Sequence, residues 1–449
     1  MILLKARFIV TFNERNEILE NAYIGINEET GKIEYVGRKK PEESYDEVID
    51  LPHHIVLPGF INGHTHIPMV ILRGLKDDVD LNTWLFKYIF PAEDKLKPID
   101  VYYGALQGIA EMIECGTTFF IDMYFFEEEI AKAVLESGIR AILSRGILDS
   151  PEDRTPETEI DKSLRFLDFL KSIWARNPES RDRLFFALGP HAPYTCSREL
   201  FMAVRDLARK LKDELNYVWI NTHVAETNKE VRDIQKTTGK TPVEYLDSIS
   251  FLDSNVLMAH AVWVTDNDIK ILSRRGVTVI HNPTSNLKLG SGIAPITKML
   301  EEGVKILIGT DGAASNNRLD ILWEARLTAL LHKGVSRNPQ VVPAEKVLRM
   351  LTIDGARALG LENLIGSIEV GKQADLVVLN LRKILQTVPF HDIYSMIIYA
   401  ADLRIVEKVM VKGKWLYNNG EFLALRNIDT ILDKIANIRS RIEEEIISR

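Results

Sequence analysis

VLMAHAVWVTDNDIKILSRRGVTVIHNPTSNLKLGSGIAPITKMLEEGVKILIGTD, residues 256–311, carries three short apolar runs: VLMAH (256–260), VTVIHN (277–282) and VKILIGTD (304–311). Each closes on polar residues that include a histidine or an aspartate, and a longer amphipathic segment separates it from the next. Runs of this length, rich in β-branched residues, read as buried strands. The same rhythm extends back through IVLPGFIN (55–62), TTFFIDM (117–123), RAILSRG (140–146), RLFFALG (183–189) and YVWINTH (217–223), which makes eight strands. Between them, VYYGALQGIAEMIE (101–114), RELFMAVRDLARKLKDEL (198–215) and LDILWEARLTALLHK (319–333) place apolar residues three or four apart, as helices packed on a sheet do. Eight buried strands alternating with helices predict an α/β fold of the (β/α)8 TIM-barrel kind, although a doubly wound open sheet alternates in the same way.

Both ends of the chain read differently. Residues 1–57 include ENAYIGINEETGKIEYVG, and residues 366–424 include GSIEVGKQADLVVLN and VEKVMVKGKWLYNNGEF, alternating segments with Asn and Gly at the turns of β-hairpins. The expectation is a small β-sandwich domain assembled from both termini, with a catalytic barrel over 58–365 inserted between its halves. Residues 425–449, with IDTILDKIANIRSRIEEEI, read as an amphipathic surface helix. The sequence shows no solenoid-period repeat and no low-complexity tract.

Composition narrows the class. Of 449 residues, 46% are hydrophobic and 27% charged, the balance of a soluble globular protein. The 56 basic and 64 acidic residues are spread along the chain for a net charge of −8, which argues against nucleic-acid or anionic-membrane partners. Cys115 and Cys196 are the only cysteines and form no C-x-x-C pair, so neither a thiolate zinc cluster nor a disulfide framework is expected, and a reducing cytoplasm fits. The N-terminus lacks the pattern of a signal peptide, and no apolar stretch approaches the roughly 20 residues of a membrane span.

His64 and His66, in FINGHTH, stand two apart at a strand end, so both side chains leave the same side of the backbone. His223 ends the strand YVWINTH, with Glu226 three residues on, and Asp311 follows the strand of ILIGTD. Taken singly, each has an ordinary explanation: a structural core histidine, a solvated carboxylate, or a cap for the next helix. Together with His191, His260 and His281 they all fall at predicted C-terminal strand ends, which in a barrel converge on one mouth. Imidazoles and a carboxylate suit zinc or another borderline divalent ion, and such an ion lowers the pKa of bound water enough to supply hydroxide near neutrality. Glu226 and Asp311 are the candidate proton carriers, and His260 is placed to hold the attacking oxygen or the developing oxyanion.

At these residues the sequence resembles the amidohydrolase superfamily, through PGFINGHTH, HVAET, the His260 strand end, GTDG and the G-x-x-ADLVV element at Gly371 to Val378. Within it the chain is most similar to the methylthioadenosine/S-adenosylhomocysteine deaminase group, through DLNTWLFKYIFPAEDKL, DMYF, SRGILDS, GPHAPYTCS, HNPTSNLKLGSGIAPI and GTDGAASNN. The resemblance implies one divalent ion, zinc first and ferrous iron or another divalent ion as the alternative, on His64, His66, His223 and Asp311. It implies hydrolytic attack at purine C6, with Glu226 protonating N1, Asp311 taking the water's proton, His260 orienting the nucleophile and ammonia leaving. His191 would contact the purine, Trp84 would pack on the adenosine, Glu93 would receive the ribose hydroxyls, and Arg145 would face a homocysteine carboxylate. Arg154 is a second candidate for that carboxylate, although its loop SPEDRTPETE departs from the family spacing, and His281 is expected to support the site from behind. The implied substrates are S-adenosylhomocysteine, 5′-methylthioadenosine or adenosine. A related heterocycle (guanine, a pyrimidine or a triazine) and an inactive scaffold are the alternatives, and relatives of this kind form dimers or tetramers.

Overall fold

In the computed structural model, which describes residues 1–149, 154–425 and 427–447, the chain opens with β1 (Ile2–Val10), β2 (Ile18–Asn27), β3 (Lys32–Gly37) and β4 (Glu47–Pro58). The stretch IVLPGFIN, expected as one strand, is two: its first half finishes β4 and its second half begins β5 (Phe60–Thr65). Pro58 has no N–H to continue a ladder. At Gly59 a Cβ would lie 2.1 Å from Thr118 Oγ1, so the chain passes from one sheet to the next at a point only glycine can occupy. The Gly59 N–H donates to the Asp375 carbonyl at 2.8 Å.

The barrel continues with β6 (Thr117–Tyr124), β7 (Arg140–Ile147), β8 (Leu184–Pro190), β9 (Trp219–Val224), β10 (Val256–His260), β11 (Thr278–His281) and β12 (Lys305–Ile308). These strands pair in parallel and in sequence order from β5 to β12. A sequential order has no reversal point, which excludes the doubly wound sheet. One cluster of buried residues draws on every barrel strand, from Ile61 and Phe119 through Ile142, Ala187, Trp219 and Leu257 to Ile280 and Leu307. It reaches Ala356, Leu359 and Ile365 beyond the strands, so apolar packing fills the barrel and polar chemistry is left to the C-terminal mouth.

β12 ends at Ile308, so Gly309 to Asp311 of VKILIGTD form a turn rather than strand. That turn seals the barrel against β5: Asn62 Nδ2 donates to Thr310 Oγ1 at 2.8 Å, Thr310 N to Asn62 Oδ1 at 3.0 Å, and Asp311 N to the His64 carbonyl at 2.9 Å.

The last strands, β13 (Leu376–Asn380), β14 (Val406–Val411), β15 (Lys414–Asn418) and β16 (Glu421–Phe422), join the first four in an eight-stranded sheet of order β16-β15-β14-β13-β4-β1-β2-β3. Strands from both chain ends share its core, where Leu4, Ile9, Ile24, Val56, Leu376, Val378 and Met410 pack together. The amphipathic C-terminal segment is the helix Ile428–Ile447, which buries Ile431, Ile438 and Ile442, while Arg441 pairs with Asp100 on the helix Pro98–Glu114.

Arg140, the first residue of β7, is fully buried and joins the barrel to the terminal sheet. Its Nη2 donates to Asp375 Oδ1 at 2.9 Å, its Nε reaches Asp375 Oδ2, and Asp375 also accepts the Lys412 N–H at 2.8 Å. Replacing Arg140 by methionine leaves a buried carboxylate without its cation, for an expected loss of about 3–5 kcal/mol. Chemical denaturation followed by tryptophan fluorescence should show that loss, with partial recovery in the double variant Arg140→Met, Asp375→Leu.

Candidate metal centre and active-site cleft

The register of β5 on β6 slips between Asn62 and Thr65. Gly63 still faces the barrel interior, where a Cβ would meet Leu307 and Ile280, yet His64 also turns inward. This bulge aims His64 and His66 at one point while Thr65 turns away and donates to Asp122 at 2.6 Å. Asp122 also accepts the Ile67 N–H at 2.7 Å, bracing the strand end from both sides.

Three imidazoles and one carboxylate meet there. His64 Nε2 lies 3.1 Å from His223 Nε2, His223 Nε2 lies 3.2 Å from His66 Nε2, and Asp311 Oδ1 is 3.2 Å from His66 Nε2 and 3.7 Å from His64 Nε2. The Nδ1 atoms of His66 and His223 donate to the carbonyls of Met123 (2.6 Å) and His191 (2.8 Å). This fixes the tautomer and turns the Nε2 lone pairs toward one another, an arrangement that a shared divalent cation stabilises. The donor set of three imidazole nitrogens and one carboxylate fits such an ion. Burial holds His64 and His223 well below the usual histidine range, in the ligand form. Burial would lower His66 as well, but the Asp311 carboxylate raises it to about 9, so the position between His66 and Asp311 favours a positive charge, whether a proton or a bound cation. Asp311 Oδ2 accepts from Ser285 Oγ at 2.7 Å and Ser315 Oγ at 3.1 Å.

Beside this centre, Glu226 is 4% exposed and burial raises its carboxyl above the ordinary range. Its Oε2 lies 3.7 Å from His260 Nε2, and its Oε1 accepts from Ser291 Oγ at 3.5 Å. His260 Nδ1 faces Asn286 Oδ1 at 2.8 Å, so Nδ1 carries the proton and Nε2 is left toward the site. His191 Nδ1 is 2.8 Å from Thr195 Oγ1, and burial pushes the ring down to about 3, which keeps it neutral.

A cleft of about 640 Å³ opens from these residues, and His66, His191, His223, Glu226, His260 and Asp311 line its floor. Trp84 and Glu93 line it too, carried by a segment that folds as short helical turns, Leu81–Trp84 and Phe90–Glu93, over the mouth. Burial raises Glu93 to about 7, opposed by the neighbouring Tyr124 phenol, and Glu93 Oε1 has no hydrogen-bond partner among the described residues.

The remaining expected residues lie elsewhere. Gly146 of β7 lines the cleft, and the adjacent Arg145 is not among its lining residues; the Arg145 Nη1 is 3.7 Å from Glu127 Oε2, and its side chain is 19% exposed. Arg154 is half-buried and outside the lining, and the preceding residues 150–153 of its loop are outside the described part of the chain. His281 is fully buried with its Nε2 3.1 Å from His332 Nε2, and its carbonyl accepts the Gly309 N–H at 3.0 Å, so it supports the turn that carries Asp311.

Several residues in the assembly had no assigned role in the sequence. Ser285 and Asn286 stand in HNPTSN directly after a strand, Ser315 lies four residues after Asp311, and Asp122 ends TTFFID. Polar residues just past a strand end were the available signal. Their partners, on other strands, were not.

The model of the amidohydrolase family matches residues 55–416. A 5-methylthioadenosine/S-adenosylhomocysteine deaminase of Thermococcus sibiricus is 45% identical over 413 residues, covering 92% of this chain and 93% of its own. A 5′-deoxyadenosine deaminase of Methanosarcina barkeri is 41% identical, covering 100% of this chain and 99% of its own. Among solved structures, an adenosine deaminase from Xanthomonas campestris with bound zinc superposes with a TM-score of 0.90 at 33% identity, over 99% of this chain and 98% of that one. With the barrel, the histidine–aspartate centre and these relatives in agreement, the chain belongs to the amidohydrolase family.

Proposed function

We propose that the protein hydrolytically deaminates the purine C6 position of adenosine-type nucleosides bearing a 5′-thioether or related 5′ group, S-adenosylhomocysteine or 5′-methylthioadenosine, with release of ammonia and the inosyl product. The observation that carries this reading is Glu93: a buried carboxylate with an unpartnered oxygen, in the same cleft as the metal ligands, suits a pair of ribose hydroxyls and has no use against a bare triazine or guanine. The names of the Thermococcus and Methanosarcina relatives support the same substrate class. An intact set of four ligands argues against an inactive scaffold.

His64, His66, His223 and Asp311 would hold one divalent ion, zinc by analogy with the Xanthomonas structure. When bound, the ion supplies hydroxide at neutral pH by lowering the pKa of water. Asp311, fixed by two serine hydroxyls, would accept the proton lost by the attacking water and pass it to the departing amino group, which leaves as ammonia. Glu226, whose carboxyl is raised above the ordinary range by burial, donates to the ring nitrogen next to C6, and His260 orients the attacking oxygen. His191 meets the purine edge, and Trp84 and the apolar wall of Leu85, Phe125 and Leu148 exclude water from the adenosine and its 5′ group. Arg145 and Arg154 would meet the carboxylate of the longer substrate outside the cleft. Buried free Cys115 and Cys196 agree with a reducing cytoplasm.

Zinc-loaded protein should release ammonia from 5′-methylthioadenosine, with the ultraviolet shift from adenine to hypoxanthine. Prolonged chelation should abolish both, and added zinc should restore them; a loaded protein inert on both thioether nucleosides would sink the proposal. Because Glu93 lies at about 7, its carboxylate loses its charge as the pH falls through that value. KM for ribose-bearing substrates should therefore rise by up to about tenfold per unit below it, while Glu93→Gln should give a high KM that no longer varies there. Arg145→Ala should lower kcat/KM for S-adenosylhomocysteine by about tenfold or more and leave 5′-methylthioadenosine unaffected; equal losses on the two substrates would assign Arg145 to its ion pair with Glu127 alone.

A further inference from the structure

The chain leaves β9 through a turn that needs outside support. Ala225 has φ +54°, in the left-handed region that alanine rarely adopts, and this residue directly precedes Glu226. The two N–H groups freed by the turn converge on one side chain: Glu230 Oε1 accepts from Ala225 N and Glu230 Oε2 from Glu226 N, each at 2.8 Å. Glu230 is 4% exposed and is the third residue of the helix Asn228–Thr238, whose N-cap Thr227 accepts from the Glu230 N–H at 3.2 Å. In the usual capping arrangement a carboxylate at this position reaches back to the N-cap N–H. Here it passes the cap and takes the two residues before it. On the other side, the Trp263 N–H donates to the Ala225 carbonyl at 2.8 Å.

We propose that Glu230 is a positioning residue for the deamination, setting the angle at which Glu226 presents its carboxyl to the substrate ring; this rests on the reading of Glu226 given above. Both Glu230 oxygens are committed to backbone N–H groups, and the residue is absent from the lining of the substrate cleft. It lines instead a neighbouring cavity with Lys229 and Asp233, so it acts on Glu226 from behind and not on substrate. A shift of the turn by about an ångström would misplace the proton donor, and misplacements of that size cost up to about a hundredfold in rate.

The test compares Glu230→Ala, Glu230→Gln, Glu226→Gln and the double variant Glu226→Gln, Glu230→Gln, all zinc-loaded, on 5′-methylthioadenosine. Glu230→Ala removes both acceptors and should lower kcat by about 10- to 100-fold, with Glu230→Gln intermediate because one carbonyl oxygen remains. KM and bound zinc should stay near those of the parent protein. The double variant should lose no more than Glu226→Gln alone, because a residue acting through Glu226 adds nothing once that carboxyl is gone. Parent-like kcat in both Glu230 variants, or multiplied losses in the double variant, would overturn the inference and leave the function standing. Full activity in Glu226→Gln would overturn the role given to Glu226 and this inference with it. Should Glu230→Ala not fold, the near-isosteric Glu230→Gln and the double variant decide alone.

Discussion

The site depends on how closely β5 and the turn after β12 approach each other. At Gly309 a Cβ would stand 2.7 Å from the His64 N and 2.6 Å from Asn282 Oδ1, contacts no side chain could take without moving the backbone that carries the histidine. This proximity lets the Asp311 N–H reach the His64 carbonyl, and the Asn62–Thr310 pair holds it from the outer side. Two of the four residues of the candidate centre lie on or just after β5 and the carboxylate lies on the far side of the seam, so closing the barrel also brings the centre together. Hydrophobic packing below the seam supplies the driving force. The glycine and the amide pair decide the geometry.

What the sequence disclosed follows from what local patterning can encode. Strand positions were legible because buried strands write themselves as apolar runs, and the run VLMAH coincides with β10. Convergence of His64, His66, His223 and Asp311 was legible because a barrel brings its strand ends together. The break at Gly59 was not, since an apolar run reads the same whether it serves one sheet or two; only the clash with Thr118, far along the chain, separates them. The bulge in β5 was equally hidden, although two-residue spacing and the bulge lead to the same side for both histidines. Arg145 illustrates a different limit. Its strand-end position was apparent, but the Glu127 carboxylate 3.7 Å from it, and the place of Gly146 beside it in the cleft lining, were not.

The two ends of the cleft are built on opposite principles. At the histidine–aspartate end, four side chains are each held by a neighbouring group: His66 by the Met123 carbonyl, His223 by the His191 carbonyl, His260 by Asn286, and Asp311 by Ser285 and Ser315. Such bracing places charge and lone pairs before substrate arrives, so little reorganisation is left for the reaction itself. It also explains why Asp311 and His260 tolerate left-handed backbone, with φ of +63° and +73°: the strain is carried by surrounding hydrogen bonds that over-determine their positions.

At the substrate end the polar groups are left open. Trp84 Nε1 and Glu93 Oε1 are buried beside the cleft with no hydrogen-bond partner among the described residues. Leaving a buried polar atom unpaired costs about 1–3 kcal/mol, a penalty that a ligand with matching donors and acceptors removes when it binds. Under the proposed function, ribose hydroxyls would satisfy Glu93, whereas an apolar or purely aromatic ligand of the same size would leave that oxygen as it was. Discrimination by an unpaired buried group is steeper than discrimination by fit in an apolar pocket, because the wrong ligand pays twice, in lost contact and in retained desolvation. On the proposed function, the braced end would set what reaction occurs, and the unsatisfied end would select which molecules undergo it.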